Sequence, residues 1–221
     1  MDFILNINFL YNLQLMYRHN LKILKSKIKN LNLLMYNLIK IFGGKMNEEL
    51  KNIAQNIKLV AFDVDGVMTD GSLTFIEDGR EIKTYNAKDG LGVVMLGKAN
   101  IITSIITARD NGTVKCRAEV LNIKELYMGQ KNKILALNEL INKYNLTKAE
   151  IAYMGDDLPD LCVLKEVGLK CCPNDAVNEV KEICNFISTK NGGKGAVREL
   201  CDFILQSKNL TYEDISKPHQ Q

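Results

Sequence analysis

Short apolar runs alternate with longer segments of helical pattern from residue 57 to residue 207. The apolar runs predict strands at 57–65, 101–109, 126–128, 151–157, 168–172 and 185–188. The segments between and after them predict helices at 90–100, 110–121, 131–144, 158–167, 175–183 and 194–207. Strands that alternate with helices of about ten residues are typical of a parallel sheet with helices on both faces.

One segment breaks this alternation directly after the first strand. SLTFIEDGREIKTYN, at 72–86, has two short apolar runs on either side of Asp78-Gly79, which is a strong β-hairpin signal. We therefore expect an α/β fold with a Rossmann-like parallel sheet, helices on both faces and one hairpin after the first strand.

The charge of the chain is divided unevenly between its N-terminal part and the rest. The formal net charge is +3, but residues 1–45 contain seven basic residues and one acidic residue, a balance of +6. The remaining residues therefore carry −3. A slightly acidic body gives no electrostatic reason to expect a nucleic-acid partner.

Residues 1–45 differ in composition from the rest of the chain, being rich in Asn, Leu, Ile and Lys. No apolar stretch there reaches the roughly 18–20 residues of a membrane span, and the order of features is not that of a signal peptide. An amphipathic helix on a membrane surface is one interpretation. We favour another, in which translation starts at Met46, the folded domain covers 46–208, and 209–221 is a polar tail.

Histidine and cysteine usage excludes several kinds of chemistry. The two histidines, His19 and His219, both lie in the terminal extensions, so the body has neither a histidine base nor a histidine-ligated zinc. Six cysteines form no C-x-x-C pair, and we expect them to be reduced core residues of a cytoplasmic protein.

Acidic residues stand at the ends of several predicted strands, where sites form in a parallel sheet. Asp63 and Asp65 end the first strand, and Thr107 lies at the end of the second. Asp156 and Asp157 end a later strand, with Asp160 beyond them and Lys133 at the start of a helix. Such an oxygen set suits Mg²⁺, and the lysine and hydroxyl suit a phosphoryl group.

This arrangement explains why carboxylates follow a buried strand. Asp63 can pair with a metal ion and attack phosphorus as a nucleophile. Asp65, on the same side of the strand, can protonate the leaving oxygen and then deprotonate water. Taken alone, D-x-D is often only a turn or a helix cap, so the hypothesis depends on the whole ordered set.

Four motifs resemble those of the haloacid dehalogenase superfamily of phosphohydrolases: FDVDG (62–66), ITAR (106–109), QKNK (130–133) and MGDDLPD (154–160). The resemblance implies that Asp63 is the nucleophile and that Asp65 is the acid/base, which also ligates Mg²⁺ through its backbone carbonyl. It implies that Thr107 and Lys133 hold the phosphoryl group and that Asp156 completes the metal site, supported by Asp157 and Asp160.

The intervals between the motifs leave no room for the cap domain that many members of the superfamily insert. A hairpin, then NAKDG (86–90) and GGKGAVREL (192–200), resembles a capless subgroup that hydrolyses sugar acid phosphates as a homotetramer. In that case neighbouring subunits supply the walls of the site, through the 72–86 hairpin and the 192–198 segment. We expect the substrate to be bound by Asp65, Asn86, Ala87, Lys88, Asp89, Gly90, Arg109, Arg117 and Lys133, since Lys88, Arg109 and Arg117 add cations that suit a distant carboxylate.

Three positions depart from the pattern of the subgroup. Ala108 stands where Gly is usual, Val94 where we expect arginine, and Lys194 where arginine is frequent. The Val94 departure weakens one expected substrate contact. Lys194 keeps the charge but loses bidentate geometry.

Other functions remain open at this level. A phospho-relay receiver domain also groups acids, a hydroxyl and a lysine around Mg²⁺, but it has no second aspartate two residues after the phospho-acceptor. An inactive relative that serves in oligomerisation is a further alternative. Within the enzyme class, eight-carbon and nine-carbon sugar acid phosphates are poorly separated.

Overall fold

A central parallel strand is buried on both faces of a six-stranded sheet. The computed structural model describes Lys27 and residues 48–216. The strands of the sheet are β1 (Leu59–Phe62), β4 (Ile102–Ile106), β5 (Glu125–Tyr127), β6 (Ile151–Met154), β7 (Leu169–Cys172) and β8 (Phe186–Ile187), and every adjacent pair is parallel. Their order is β5-β4-β1-β6-β7-β8. This confirms the predicted fold class.

Helices cover both faces of the sheet. They are α1 (48–55), α2 (Ala87–Lys98), α3 (Gly112–Val120), α4 (Lys133–Tyr144), α5 (Leu161–Leu164), α6 (Asn178–Ile183), α7 (Ala196–Ser207) and α8 (Tyr212–Ser216). Val60 and Phe62 of β1 pack into a core with α2 and α7 on one face. Leu59 and Ala61 pack into a second core with α4 and α5 on the other face, as the twofold alternation of strand side chains requires.

The predicted strands extend too far at their carboxyl ends. The predicted strand 57–65 leaves the sheet after Phe62, 101–109 after Ile106, and 151–157 after Met154. The residues that follow form the loops of the candidate site. A continuous run of apolar residues identifies the buried part of each strand. The conformation of the polar residues after it depends on contacts with other loops.

The predicted helix 158–167 is interrupted. Residues Leu158–Asp160 form a 3-10 turn, and α5 follows it for only four residues. The Asp157 side chain accepts the backbone N–H of Leu158, and Pro159 stands in the first turn, where its missing N–H costs nothing.

The predicted hairpin is present, with shorter strands than the sequence suggests. Its strands, β2 (Thr74–Phe75) and β3 (Glu81–Ile82), are antiparallel, and Gly79 has φ +82° in the turn. The side chains of Leu73, Phe75 and Ile82 are about half exposed. The hairpin therefore presents apolar surface to solvent in the single chain.

The expectation of a polar tail from residue 209 needs a correction. Residues Tyr212–Ser216 form α8, and Ile215 is buried in the core that contains β1 and α2. Leu210 and Ile215 are the only aliphatic residues of 209–216, and their spacing of five gave too weak a periodicity to predict this turn of helix. Apart from Lys27, the predicted extension 1–45 lies outside the described residues, as do 217–221. Among the helices of the described residues, none is long and apolar enough to cross a membrane.

Candidate active site

The carboxyl ends of β1, β4 and β6 meet at one crevice. The chain runs outward from β1 to β4 and β5 and then returns to β6 on the other side of β1, so the strand order reverses beside β1. Such a reversal opens a crevice outside the sheet. The crevice here has a volume of about 390 Å³, and its lining is Asp63, Asp65, Gly66, Gly71, Thr107, Ala108, Arg109, Lys133, Asp156, Asp157, Pro159 and Asp160.

Asp63 and Lys133 form an ion pair in the floor of the crevice. Asp63 follows β1, its backbone N–H bonds the carbonyl of Met154 at 3.0 Å, and Lys133 is the first residue of α4. The Lys133 Nζ lies 3.0 Å from Asp63 Oδ1 and 2.7 Å from Asp160 Oδ1, with the lysine side chain only 2% exposed. Burial alone would lower the pKa of Lys133, but the two carboxylates outweigh it and raise that pKa.

Asp160 organises the loop after β6. Its Oδ1 accepts Lys133 and the hydroxyl of the fully buried Tyr153 at 2.6 Å. Its Oδ2 accepts the backbone N–H groups of Asp156 at 2.9 Å and of Asp157 at 3.2 Å. A Cβ at position 155 would overlap this carboxylate, so Gly155 is required for the close approach.

Three carboxylates in the crevice suit a divalent cation. Oxygens of Asp63, Asp156 and Asp160 all lie within 4.8 Å of one another, and Asp156 Oδ1 is buried without a hydrogen-bond partner. When all three carboxylates are ionised, they and the Lys133 ammonium together carry a net charge of −2. Burial, together with the neighbouring carboxylates, raises the pKa of Asp63 to about 6 and that of Asp156 to about 8. A divalent cation would balance this charge and give Asp156 Oδ1 the partner it lacks.

Asp65 lies outside that set and has cations of its own. Its Oδ1 is bonded by Lys83 Nζ, which comes from the hairpin and also lies 2.8 Å from Glu81 Oε1. Its Oδ2 lies 3.3 Å from Arg109 Nε. Thr107 completes the opposite wall, almost fully buried, with its Oγ1 accepting the N–H of Arg109 at 3.3 Å.

Several residues expected to bind substrate lie elsewhere and have partners within the chain. The Asn86 side chain caps α2 at the N–H of Lys88 and donates to the carbonyl of Gly193 at 3.2 Å. Asp89 is buried and accepts the N–H groups of Gly195 at 3.3 Å and Arg198 at 2.8 Å. Neither residue lines the crevice, and neither do Ala87, Lys88 and Gly90.

Arg117 is also outside the crevice. Its guanidinium donates to the carbonyl of Asn86 at 3.0 Å and lies over the ring of Tyr85. A Cβ at Gly90 would overlap that guanidinium, which explains the glycine. Of the cations predicted to bind a distant carboxylate, only Arg109 faces the crevice.

The departures from the expected pattern have separate locations. Val94 lines a groove of about 470 Å³ near the amino ends of β4 and β5, far from the crevice, so it removes no contact there. Ala108 lies in the crevice wall, and Lys194 pairs with Asp70 at 3.2 Å.

Sequence reasoning missed three polar residues that surround the crevice: Tyr153, Glu81 and Lys83. Tyr153 lies in an otherwise apolar strand, and no pattern distinguishes its hydroxyl. Glu81 and Lys83 alternate with Ile82, so one face of β3 carries opposite charges and the other an apolar side chain. This alternation lies in the hairpin that follows the Asp65 loop, and it could have identified Glu81 and Lys83 as candidate site residues.

Comparison with known proteins identifies the class that this fold and crevice define. The family model of haloacid dehalogenase-like hydrolases matches residues 74–200, more than half of the chain. The chain belongs to this family.

Several members of this family that resemble the chain are phosphatases that act on the same sugar acid phosphate. The chain is 38% identical over 162 residues to 3-deoxy-D-manno-octulosonate 8-phosphate phosphatase of Salmonella typhi, covering 73% of this chain and 86% of that one. A crystal structure of the Moraxella catarrhalis phosphatase of that name, in complex with magnesium, phosphate and the sugar acid, is 39% identical with a TM-score of 0.71, covering 73% and 92%. A Legionella pneumophila hydrolase of the superfamily is 40% identical with a TM-score of 0.75, covering 76% and 93%.

The raised pKa of Asp156 predicts how the stability of the metal-free protein depends on pH. A carboxyl group with a raised folded-state pKa destabilises the protein as pH rises from its ordinary value of 3.8 toward about 8. In chelator, Asp156→Asn should therefore raise the Tm at pH 8 by at least about 2–4 °C, the effect of roughly 1 kcal/mol in a domain of this size. It should leave the Tm at pH 4 unchanged, and circular dichroism melts measure both.

The matched control is Asp157→Asn, the same charge change at an exposed neighbour whose cap an asparagine can keep. It should not reproduce the gain. Equal Tm values for wild type and Asp156→Asn at pH 8 would contradict the prediction.

Proposed function

We propose that the chain is a Mg²⁺-dependent phosphatase that hydrolyses 3-deoxy-D-manno-octulosonate 8-phosphate to the free sugar acid and phosphate, a step in lipopolysaccharide precursor synthesis. The observation that carries the proposal is the pairing of Asp63 with Lys133 beside the partnerless oxygen of Asp156. The relatives in Salmonella typhi and Moraxella catarrhalis support the substrate, and the magnesium and phosphate of the latter support the chemistry.

In the first proposed step a carboxylate oxygen of Asp63 attacks phosphorus. A bond forms between that oxygen and phosphorus, and the ester P–O bond breaks with its electron pair going to the sugar oxygen. Asp65 gives this oxygen its proton, so the sugar acid leaves as an alcohol. Lys133 and the Thr107 hydroxyl hold the phosphoryl oxygens.

In the second proposed step water attacks the phosphorus of the aspartyl-phosphate. Water loses a proton to Asp65, the bond between phosphorus and the Asp63 oxygen breaks, and inorganic phosphate leaves. Asp63 is again a carboxylate and Asp65 is again protonated, which restores the starting state of both residues.

The metal site of the proposal consists of Asp63, Asp156 and the backbone carbonyl of Asp65. Mg²⁺ bound there would neutralise charge on the phosphoryl group and on the carboxylates. Asp160 supports the site from behind, because its two oxygens are engaged by Lys133, Tyr153 and the N–H groups of the loop.

Arg109 is the residue that we propose for the carboxylate of the sugar acid. Its side chain is 42% exposed at the rim of the crevice, and its guanidinium also lies 3.5 Å from Glu81. Guanidinium groups recognise carboxylates with two parallel hydrogen bonds. A neutral sugar phosphate would offer this guanidinium no carboxylate in addition to those of Asp65 and Glu81.

We also propose that the protein is a homotetramer in the cytoplasm. An isolated hairpin is marginally stable in water, and this one exposes Leu73, Phe75 and Ile82. Packing of hairpins from several subunits would cover that surface. Gly192 and Gly193 already pack on Gly66 and Thr69 of their own chain, so we propose the hairpin and not this loop as the wall from a neighbour. The six cysteines are free thiols, which is typical of a reducing compartment, but Cys116 and Cys162 are exposed and are therefore not the core residues that we expected.

The roles of Asp63 and Asp65 predict different kinetic defects. Asp63→Asn loses the attacking charge and should abolish phosphate release with Mg²⁺ present. Asp65→Asn should slow turnover by roughly 10²–10⁴-fold, the usual contribution of general acid–base catalysis. A malachite-green assay measures both, and more than a few per cent of wild-type activity in Asp63→Asn would refute the nucleophile.

The substrate assignment predicts strong selection for the acid. Hydrolysis of 3-deoxy-D-manno-octulosonate 8-phosphate should be far more efficient than that of glucose 6-phosphate, since the neutral sugar lacks the carboxylate that would bind Arg109 and forfeits about 1–3 kcal/mol. Arg109→Ala should raise KM for the sugar acid phosphate more than for para-nitrophenyl phosphate, which controls for its contact with Asp65. Equal kcat/KM values for the two sugar phosphates would contradict the substrate assignment and indicate a phosphatase without this specificity.

The tetramer predicts a mass of about four chains by light scattering at micromolar concentration. Phe75→Asp should lower this mass because it places a charge in the proposed interface. Tyr212→Asp, at another exposed aromatic residue, should leave the mass unchanged. A wild-type protein that is monomeric and fully active would disprove the assembly.

A further inference from the structure

Lys83 is a buried cation that the proposed reaction does not yet use. It follows β3 of the hairpin, and its side chain is only 1% exposed. Burying an ammonium group is unfavourable unless carboxylates pair with it and accept its N–H groups. Asp65 Oδ1 and Glu81 Oε1 do so here, the second at 2.8 Å.

The Asp65 carboxylate is held from two sides by cations of different segments. Lys83 bonds one oxygen from the hairpin, and Arg109 Nε lies 3.3 Å from the other oxygen. Asp65 itself lies in a loop beyond the end of β1, where the sheet no longer fixes the backbone. A carboxylate with both oxygens engaged has little freedom to rotate.

Glu81 connects Lys83 to the frame of the protein. Its Oε1 accepts Lys83, and its Oε2 accepts the side-chain amide of Asn111 at 2.9 Å. Asn111 in turn caps α3 at the N–H of Thr113. The position of Lys83 is therefore fixed to a helix terminus through two hydrogen bonds, although the hairpin is otherwise short and exposed.

We propose that Lys83 is a positioning residue for the acid/base Asp65, holding its carboxylate toward the leaving oxygen. The inference rests on the proposed function, in which Asp65 protonates that oxygen. With every carboxylate ionised, the charges of Asp65, Glu81, Lys83 and Arg109 sum to zero, whereas Asp63, Asp156, Asp160 and Lys133 carry −2. The cations Lys83 and Arg109 thus balance Asp65 and Glu81, and the Asp65 carboxylate is not one of the three that suit a metal ion.

Lys83 could instead serve only to anchor the hairpin, and the two roles differ in their kinetics. Loss of an anchor would lower the rate for every ester in the same proportion. Loss of a positioned acid harms esters whose leaving group needs a proton and spares those whose leaving group departs as a stable anion. The dependence of rate on the leaving group therefore separates the roles.

The experiment compares wild type, Lys83→Met, Lys83→Arg and Glu81→Gln with phenyl, para-nitrophenyl and 2,4-dinitrophenyl phosphate in saturating Mg²⁺. The quantity is kcat/KM, which reports steps up to the first irreversible one. Arg80→Met is the matched control, because it removes a cation from the same hairpin whose partner is the exposed Asp78. Circular dichroism and light scattering show whether each variant keeps its fold and assembly.

We expect Lys83→Met to lower kcat/KM for phenyl phosphate by about 10- to 100-fold, which is part of the roughly 10²–10⁴-fold that a general acid contributes. For 2,4-dinitrophenyl phosphate the loss should be less than about threefold. Lys83→Arg should restore most of the loss, and Glu81→Gln should show the same selectivity more weakly. Arg80→Met should match wild type. If Lys83→Met does not fold, Glu81→Gln decides the question.

An equal loss of kcat/KM for all three esters in Lys83→Met and Glu81→Gln would overturn the inference and show that Lys83 only anchors the hairpin. Failure of the proposed function looks different. If the wild type hydrolyses these esters but not the sugar acid phosphate, only the substrate assignment fails, and the comparison still tests the role of Lys83. A wild type that releases phosphate from no ester refutes the phosphatase and the role of Lys83 together.

Discussion

The carboxylate of Asp160 accepts hydrogen bonds from four groups in three parts of the chain: Lys133 of α4, the Tyr153 hydroxyl of β6, and the N–H groups of Asp156 and Asp157. These bonds fix the lysine that pairs with Asp63 and the loop that presents Asp156. Removal of Asp160 would leave the Tyr153 hydroxyl and two N–H groups without this acceptor and would take one of its two carboxylates from the buried Lys133 ammonium. Asp160 is therefore a structural requirement of the crevice more than a reacting group.

The two aspartates of D-x-D differ because their surroundings differ. Asp63 is buried against other carboxylates, which raises its pKa to about 6 despite the ion pair with Lys133. Asp65 is partly exposed and lies between Lys83 and Arg109. A bound cation would favour the ionised form of Asp63, which the proposed function uses as the nucleophile, whereas the carboxylate of Asp65 is held by cations of the protein itself. Environments that differ in this way are how two like residues acquire separate acid–base roles.

The sequence predicts those features that depend on local pattern or on strand ends. Continuous apolar runs located all six strands, and parallel topology brought Asp63, Thr107 and Asp156 together because each follows a neighbouring strand. Prediction from the sequence failed where a side chain bonds to a distant segment of the chain. Asn86 and Asp89 bond residues more than a hundred positions away, and Lys83 reaches back across a hairpin to Asp65. Such contacts leave no periodicity in the chain.

The NAKDG and GGKGAVREL segments, which carried much of the resemblance to a capless subgroup, are partners of each other. Asn86 and Asp89 bond the backbone of 193–198, and the glycines at 192 and 193 pack against Gly66 and Thr69 so closely that a Cβ would overlap their backbone. Gly66 in turn leaves no space for a Cβ beside Asp156. The two segments therefore brace the loop after Asp65 from behind. Of the residues that we expected to bind substrate, Asp65, Arg109 and Lys133 line the crevice, and we propose that selection of the substrate depends on Arg109 among them.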